Sequence, residues 1–236
     1  WHGCTLNKPT VLANGDWLLP ISLWTRNRID ARFAGCFPEL DDLRMAHVFV
    51  STDQGAHWTR RGGALFPRSE FDEHMVVQRG DGSLWMLART ADSIWESVSG
   101  DDGLSWSAPQ PSAIQHISAR FHLRRLSSGR LLLVKHGTRV DERTDTRSHL
   151  TAFLSDDDGS TWSGGLELDE RATVSYPDGT QAPDGTIYIS YDRNRATDGE
   201  ILLARISEED ILAGRCVTPR AQLRLRITSA CHGDAQ

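Results

Sequence analysis

At 236 residues the chain is long enough to bury a substantial core, as one large all-β domain or two small ones. A net charge of -6 argues against nucleic acid as a main partner, because phosphate-binding domains carry a basic face. With 39% hydrophobic residues the composition is that of a globular protein, and no run approaches the roughly 20 apolar residues of a membrane span.

The first residues, Trp1-His2-Gly3-Cys4, are neither an initiator methionine nor a secretory signal, so the chain is expected to begin inside a longer protein whose targeting region lies upstream. A secreted or periplasmic location stays open. Lysine occurs only at positions 8 and 135; the other basic residues are arginines, whose planar forks suit carboxylates. The four cysteines (Cys4, Cys36, Cys216, Cys231) form no CxxC pair, and no loop has the pattern of a calcium site. Neither a metal nor another cofactor is expected. The cysteine spacing decides neither redox compartment nor disulfides, and the oligomeric state is not legible.

Taken in chain order, the predicted elements are short strands joined by two alternating kinds of turn. Asn14-Gly15, Asp81-Gly82, Ser128-Gly129 and Asp184-Gly185 each separate apolar, alternating runs, as hairpins require. Each is followed by a further strand, AHVFV, IWESV, LTAFL or ILLARI. After the first three of these comes the pattern Ser-x-Asp-x-Gly-x-x-Trp, at Ser51–Trp58, Ser99–Trp106 and Ser155–Trp162. This is the Asp-box, a structural turn: its Asp bonds backbone N–H groups, its Gly takes a positive φ, and its Trp covers the sheet edge. Ser207-Glu-Glu-Asp210 reads as a decayed fourth copy.

The repeats predict four blades of a β-propeller, over about 5–60, 70–108, 118–164 and 174–214. No amphipathic helix of normal length competes. A closed propeller generally has more than a bare four blades, so further N-terminal blades are expected.

Aligning the blades on their turn glycines exposes two polar, variable rows. Nine residues before the glycine stand Glu73, Arg120 and Tyr176; seven after it stand Arg89, His136 and Asp192. Core positions of a repeat are apolar and alike. These rows differ from blade to blade, as residues sharing one asymmetric central pocket do, although solvated rim residues would look the same.

At these residues the chain resembles the sialidase (neuraminidase) superfamily, six-bladed propellers with Asp-boxes. The segment from Glu73 through Arg89 resembles the one in which a catalytic Glu precedes an arginine of the substrate-binding triad. Arg147, eight residues before an Asp-box serine, matches a further triad arginine. Tyr176 opens a segment similar to the one that begins with the nucleophilic Tyr and ends in Tyr-Glu, here Tyr191-Asp192.

The resemblance implies retaining hydrolysis of a terminal acidic sugar. Arg89 and Arg147 would hold its carboxylate, Tyr176 would attack, and Glu73 would take the tyrosine's proton. Arg120, His136 and Asp192 would be additional substrate-facing groups. The partner is thus a glycan or small acidic sugar. The family's first triad arginine and its aspartate acid/base find no match and are expected in upstream blades. Pro177 after Tyr176, Asp192 in place of Glu, and His74 after Glu73 mark a divergent branch. Two other functions stay open: a non-catalytic glycan-binding propeller, and a hydrolase or lyase for uronic-acid polymers.

Overall fold

The computed structural model describes residues 4–26, 30–69 and 72–230. It holds four antiparallel sheets. They fall into two compact units, residues 1–112 and 113–236, with two sheets in each.

In the first unit, one sheet contains β1 (Cys4–Leu6), β2 (Thr10–Val11), β3 (Trp17–Leu23), β4 (Ala46–Ser51) and β5 (Thr59–Ala64). Both β1 and β2 pair with β3, so they form one first strand interrupted around Pro9. The second sheet runs β6 (Met75–Gln78), β7 (Leu84–Arg89), β8 (Ile94–Ser99), β9 (Gln110–Pro111) in that order. Leu18, Val48, Leu84 and Met86 lie in one buried apolar cluster shared by these two sheets.

The second unit repeats the plan. One sheet is β10 (His122–Arg125), β11 (Leu131–His136), β12 (Leu150–Ser155) and β13 (Ser163–Asp169). The other is β14 (Val174–Gln181), β15 (Ile187–Arg193), β16 (Glu200–Ile206) and β17 (Gln222–Thr228). Leu132, Val134, Leu154, Ile189 and Leu202 share its core. All six residues of β11 and of β12 are buried, as in strands covered on both faces.

The four hairpin turns between the first and second strands of each sheet are alike. The N–H of Gly15, Gly82, Gly129 and Gly185 donates to the carbonyl three residues earlier, at 2.9, 3.0, 3.0 and 2.9 Å. Each of these glycines has a φ between 84° and 91°, a conformation that a side chain would strain.

The Asp-boxes are alike as well. Ser51 Oγ accepts from the Gly55 N–H (2.7 Å) and donates to Asp53 Oδ1 (2.8 Å), which also accepts from the His57 N–H (2.8 Å). Ser99 with Asp101, and Ser155 with Asp157, make the same three bonds. The residue before each glycine (Gln54, Asp102, Asp158) is left-handed too, with φ of 56–57°.

The fourth copy departs from this plan. Ser207 caps a short helix, α1 (Glu208–Ala213), in a reciprocal capping box with Asp210. Asp210 then accepts from the Val217 and Thr218 N–H groups at 2.7 and 2.8 Å, which anchors the return into β17. The serine and aspartate survive, but a helical insertion separates what they tie together, and the fourth sheet extends past residue 214 to Thr228.

Cys4, Cys36 and Cys216 are free thiols; Cys231 lies outside the described residues. Among the described residues, no helix is long and apolar enough to cross a membrane.

The serine hydroxyl is the buried hub of each box. Ser99 is 1% exposed and Gly103, which it serves, is buried. Replacing Ser99 with Ala leaves a buried N–H unsatisfied, and urea unfolding should show a loss of about 1–3 kcal/mol. A change under about 0.5 kcal/mol would show that the hydroxyl is not the hub.

Candidate functional site

The two aligned rows occupy equivalent places in their sheets. Arg89 ends β7, His136 ends β11, and Asp192 is the next-to-last residue of β15. Glu73 and Arg120 stand just ahead of β6 and β10, while Tyr176 lies inside β14.

In the first unit the two expected residues meet. Arg89 Nη1 donates to Glu73 Oε2 at 2.8 Å, with side-chain exposures of 11% and 9%. The bend that presents Glu73 is strained: Asp72 and Glu73 have φ of 52° and 43°. Three contacts hold it there. The Arg89 N–H donates to the Asp72 carbonyl (2.9 Å), Ser69 Oγ accepts from the Asp72 N–H (3.0 Å), and buried Asn7 donates through Nδ2 to the Glu73 carbonyl (3.2 Å).

Asp72 itself is a buried carboxyl that the repeat alignment passes over. Burial pushes it up to about 6, against the opposing pull of hydrogen bonds from Ser69 and Ser22. His74 is 2% exposed and donates through Nε2 to the His47 carbonyl at 2.7 Å. Burial takes it down to about 4, so it is neutral near pH 7 and serves the backbone.

In the second unit a cavity of about 600 Å³ opens beside Arg147, Ser175, Asp192 and Arg195, with Thr146 and Asn194 also on its wall. Arg147 is held by Ser175 and the loop before β10: Nη1 donates to Ser175 Oγ (3.1 Å) and Nη2 to the Ser118 carbonyl (3.2 Å).

Tyr176 is placed by a β-bulge. Ser175 pairs with Asp192 and Asp178 with Ser190, so three steps along β14 match two along β15. The extra residue falls at Tyr176-Pro177, and Tyr176 takes a φ of 53°, an outlier for an aromatic residue. Its ring lies under the Arg195 guanidinium, 4.2 Å from Cζ to the ring centroid. Arg195 in turn donates from Nε and Nη2 to Asp192 Oδ2, at 3.0 and 2.5 Å.

His136 does not share this exposure. It is 0% exposed, donates through Nε2 to the Val174 carbonyl (2.9 Å), and stacks on His116, whose Nε2 lies 3.0 Å from its Nδ1. Burial lowers it to about 4. His116 Nε2 also accepts from the His136 backbone N–H at 3.2 Å. Arg120 is half-buried in the loop before β10 and does not line the cavity. Tyr191 is likewise structural: its hydroxyl donates to fully buried Asp169 at 3.1 Å, and burial raises it well above the ordinary tyrosine value.

Among the described residues no group of three or more His, Cys, Asp and Glu side chains gathers as metal ligands would.

The family model described as BNR repeat-like domain matches residues 2–189. The chain belongs to the BNR repeat-like family. Its sheets are blades of a sialidase-like propeller. Among solved structures it is similar to a Hadza microbial sialidase, with 20% identity, TM-score 0.60, and coverage of 80% of this chain and 35% of that one. A leech intramolecular trans-sialidase gives 18% identity and TM-score 0.60, over 88% of this chain and 32% of that one. An ulvan lyase gives 11% identity and TM-score 0.57, over 98% of this chain and 62% of that one. The BNR chain thus spans about a third of the two sialidase-type structures. No curated protein matches it.

Sequence reasoning missed Arg195 and Asp72. Arg195 follows Asp192 by three residues, beyond the rows that the turn glycines index; the acid–arginine spacing was its only signal. Asp72 was visible merely as part of an acidic stretch whose member Glu70 lies outside the described residues.

Because Asp72 is raised in the folded protein, its unfolded form ionises first as pH climbs. Its stabilising contribution is therefore complete below about pH 4 and lost as pH rises through about 6. Asp72→Asn removes that slope. Between pH 4 and 7 the variant should gain on the order of 2 kcal/mol relative to wild type in urea unfolding. A pH-independent difference would mean that Asp72 is not desolvated as described.

Proposed function

We infer that this BNR protein acts on glycans bearing an acidic sugar, and that it does so by sialidase-type retaining exo-hydrolysis with Tyr176 as nucleophile. The observation that carries the reading is the placement of Tyr176 by a bulge and a positive φ next to Ser175, which walls a cavity together with Arg147. Strain of this kind persists only where surrounding structure enforces it. The similarity to sialidase and trans-sialidase structures agrees with it.

The chemistry follows from the substrate class. A sugar with a carboxylate on its anomeric carbon repels an anionic nucleophile, whereas a phenol approaches neutral. Arg147 would take the carboxylate in charge-assisted hydrogen bonds. The tyrosine oxygen would attack the anomeric carbon as its proton passes to a carboxylate base, the role that the resemblance gives to Glu73. The glycosidic C–O bond would break as a general acid, for which the resemblance finds no match in this sequence, protonates the leaving oxygen. Water would then cleave the glycosyl-tyrosine. Arg89, the other arginine to which the resemblance gives the sugar carboxylate, donates to Glu73 at 2.8 Å.

A second reading, action on a uronic-acid polymer, draws on the likeness to ulvan lyase, which runs over 98% of this chain, and on the Tyr-Pro and Tyr-Asp departures. Elimination would leave an unsaturated sugar with a characteristic ultraviolet absorbance; hydrolysis leaves none.

The test is release of 4-methylumbelliferone from its sialic-acid glycoside by the full-length protein and by its Tyr176→Phe variant, with folding checked by circular dichroism. Loss of one oxygen should lower kcat at least about 1,000-fold with KM little changed. Turnover that survives in the variant would remove Tyr176 as nucleophile. A folded wild type inert on the sialoside but releasing unsaturated product from a uronate polymer would move the assignment to the second reading.

A further inference from the structure

The cavity of the second unit holds one element that the resemblance does not assign. Arg195 lies outside both aligned rows, yet it touches two residues that the rows selected, Tyr176 and Asp192. Its contact with Asp192 is lopsided. Both Nε and Nη2 donate to Oδ2, whereas Oδ1 is buried without a hydrogen-bond partner. A fork-to-fork pair would have used both oxygens. The guanidinium has instead been drawn across the Tyr176 ring, 4.2 Å from its centroid, while its side chain stays 55% exposed at the cavity wall.

Three consequences follow. First, Arg195 and Arg147 set two guanidinium groups against one carboxylate in the cavity wall, so an anion is favoured there. Arg147 is tied down by Ser175 and Ser118, so its charge is fixed in place. Second, Asp192 answers to Arg195 through Oδ2 alone, its Oδ1 being buried, so the pair is pinned at one oxygen and the guanidinium is free to lie over the Tyr176 ring. Third, the ring of Tyr176 is held flat under a cation that is itself pinned by Asp192, so the position of the tyrosine depends on Arg195.

We propose that Arg195 is a specificity-determining and positioning residue: a second cation that, with Arg147, makes the cavity select a free sugar carboxylate over its neutral counterpart, and that orients Tyr176 through the stacked contact. The proposal rests on the acidic-sugar reading of the cavity and deepens it. It assigns the cavity a ligand that carries a free carboxylate.

The test measures binding to the folded chain by titration calorimetry, with N-acetylneuraminic acid and glucuronic acid as probes and the methyl ester of each as its neutral partner. Wild type should bind at least one acid about 10-fold or more tightly than its ester. Arg195→Met should bring that ratio down to within about 3-fold, and Arg195→Lys, which keeps the charge but not the fork, should recover part of it. A purely structural arginine would weaken acid and ester alike and leave the ratio standing. That result, in a variant whose melting temperature matches wild type, overturns the role of Arg195 and spares the acidic-sugar reading. Equal binding of acid and ester by wild type overturns both the selection and the acidic-sugar reading, as does binding of none of the four probes. Should Arg195→Met fail to fold, Arg195→Lys decides alone: an unchanged stacking-dependent kcat in the sialoside assay and an unchanged acid-to-ester ratio would overturn the proposal.

Discussion

A buried serine hydroxyl at the end of the third strand is the contact on which this fold most depends. In each Asp-box it accepts the glycine N–H and donates to the aspartate, so two consecutive left-handed residues are held in place. Those residues reverse the chain tightly enough for the fourth strand to return along the sheet. The tryptophan indole donates back to the glycine carbonyl in the first two boxes, at 3.1 and 3.2 Å, which closes the turn. Where the helix α1 is inserted, the same serine and an aspartate one residue later still carry the job: Asp210, 0% exposed, bonds the helix start and the return segment together. Conserving the polar hub while changing the loop around it is cheap, because the hub answers for the backbone donors locally.

With the sheets fixed by turns, the ends of the strands are free to carry polar groups whose burial costs must be met individually. Lys135 shows the scale of this. It is 0% exposed within β11, and burial lowers it to about 8, yet its Nζ donates to the carbonyls of Arg139 and Glu142 at 2.6 and 3.0 Å. It thereby orders the 138–142 loop. Asp72, His74 and His136 follow the same logic, each buried and each bonded to backbone or hydroxyl partners. The strained backbone at Asp72-Glu73 and at Tyr176 sits directly beside these supports. Strain at the candidate residues and satisfied polar groups behind them belong to one design.

Much of this was legible in the sequence because turn chemistry is local. Asn14-Gly15, Asp81-Gly82, Ser128-Gly129 and Asp184-Gly185 announce hairpins, and three Ser-x-Asp-x-Gly-x-x-Trp boxes announce the sheet edges. Counting from the turn glycines brought out Glu73, Arg89, Tyr176 and Asp192, and the pairs Glu73–Arg89 and Ser175–Asp192 follow from register alone. The count says nothing of exposure, which tertiary packing decides. His136 stands in the same row as Arg89 and Asp192, but His116 comes in from a loop to cover it. Arg195 was illegible because its importance comes from a side chain reaching back over Tyr176, a contact with no fixed spacing. The helix α1 was misread because Ser207 and Asp210 keep the chemistry of an Asp-box while the intervening backbone is helical.

The central claim is that the cavity beside Tyr176 receives an acidic sugar by its carboxylate. A crystal structure of the protein soaked with N-acetylneuraminic acid tests it most directly. The account predicts the carboxylate within hydrogen-bonding distance of the Arg147 guanidinium, with the anomeric carbon turned toward the Tyr176 hydroxyl. A sugar bound with its carboxylate away from Arg147, or seated elsewhere on the protein, would contradict it.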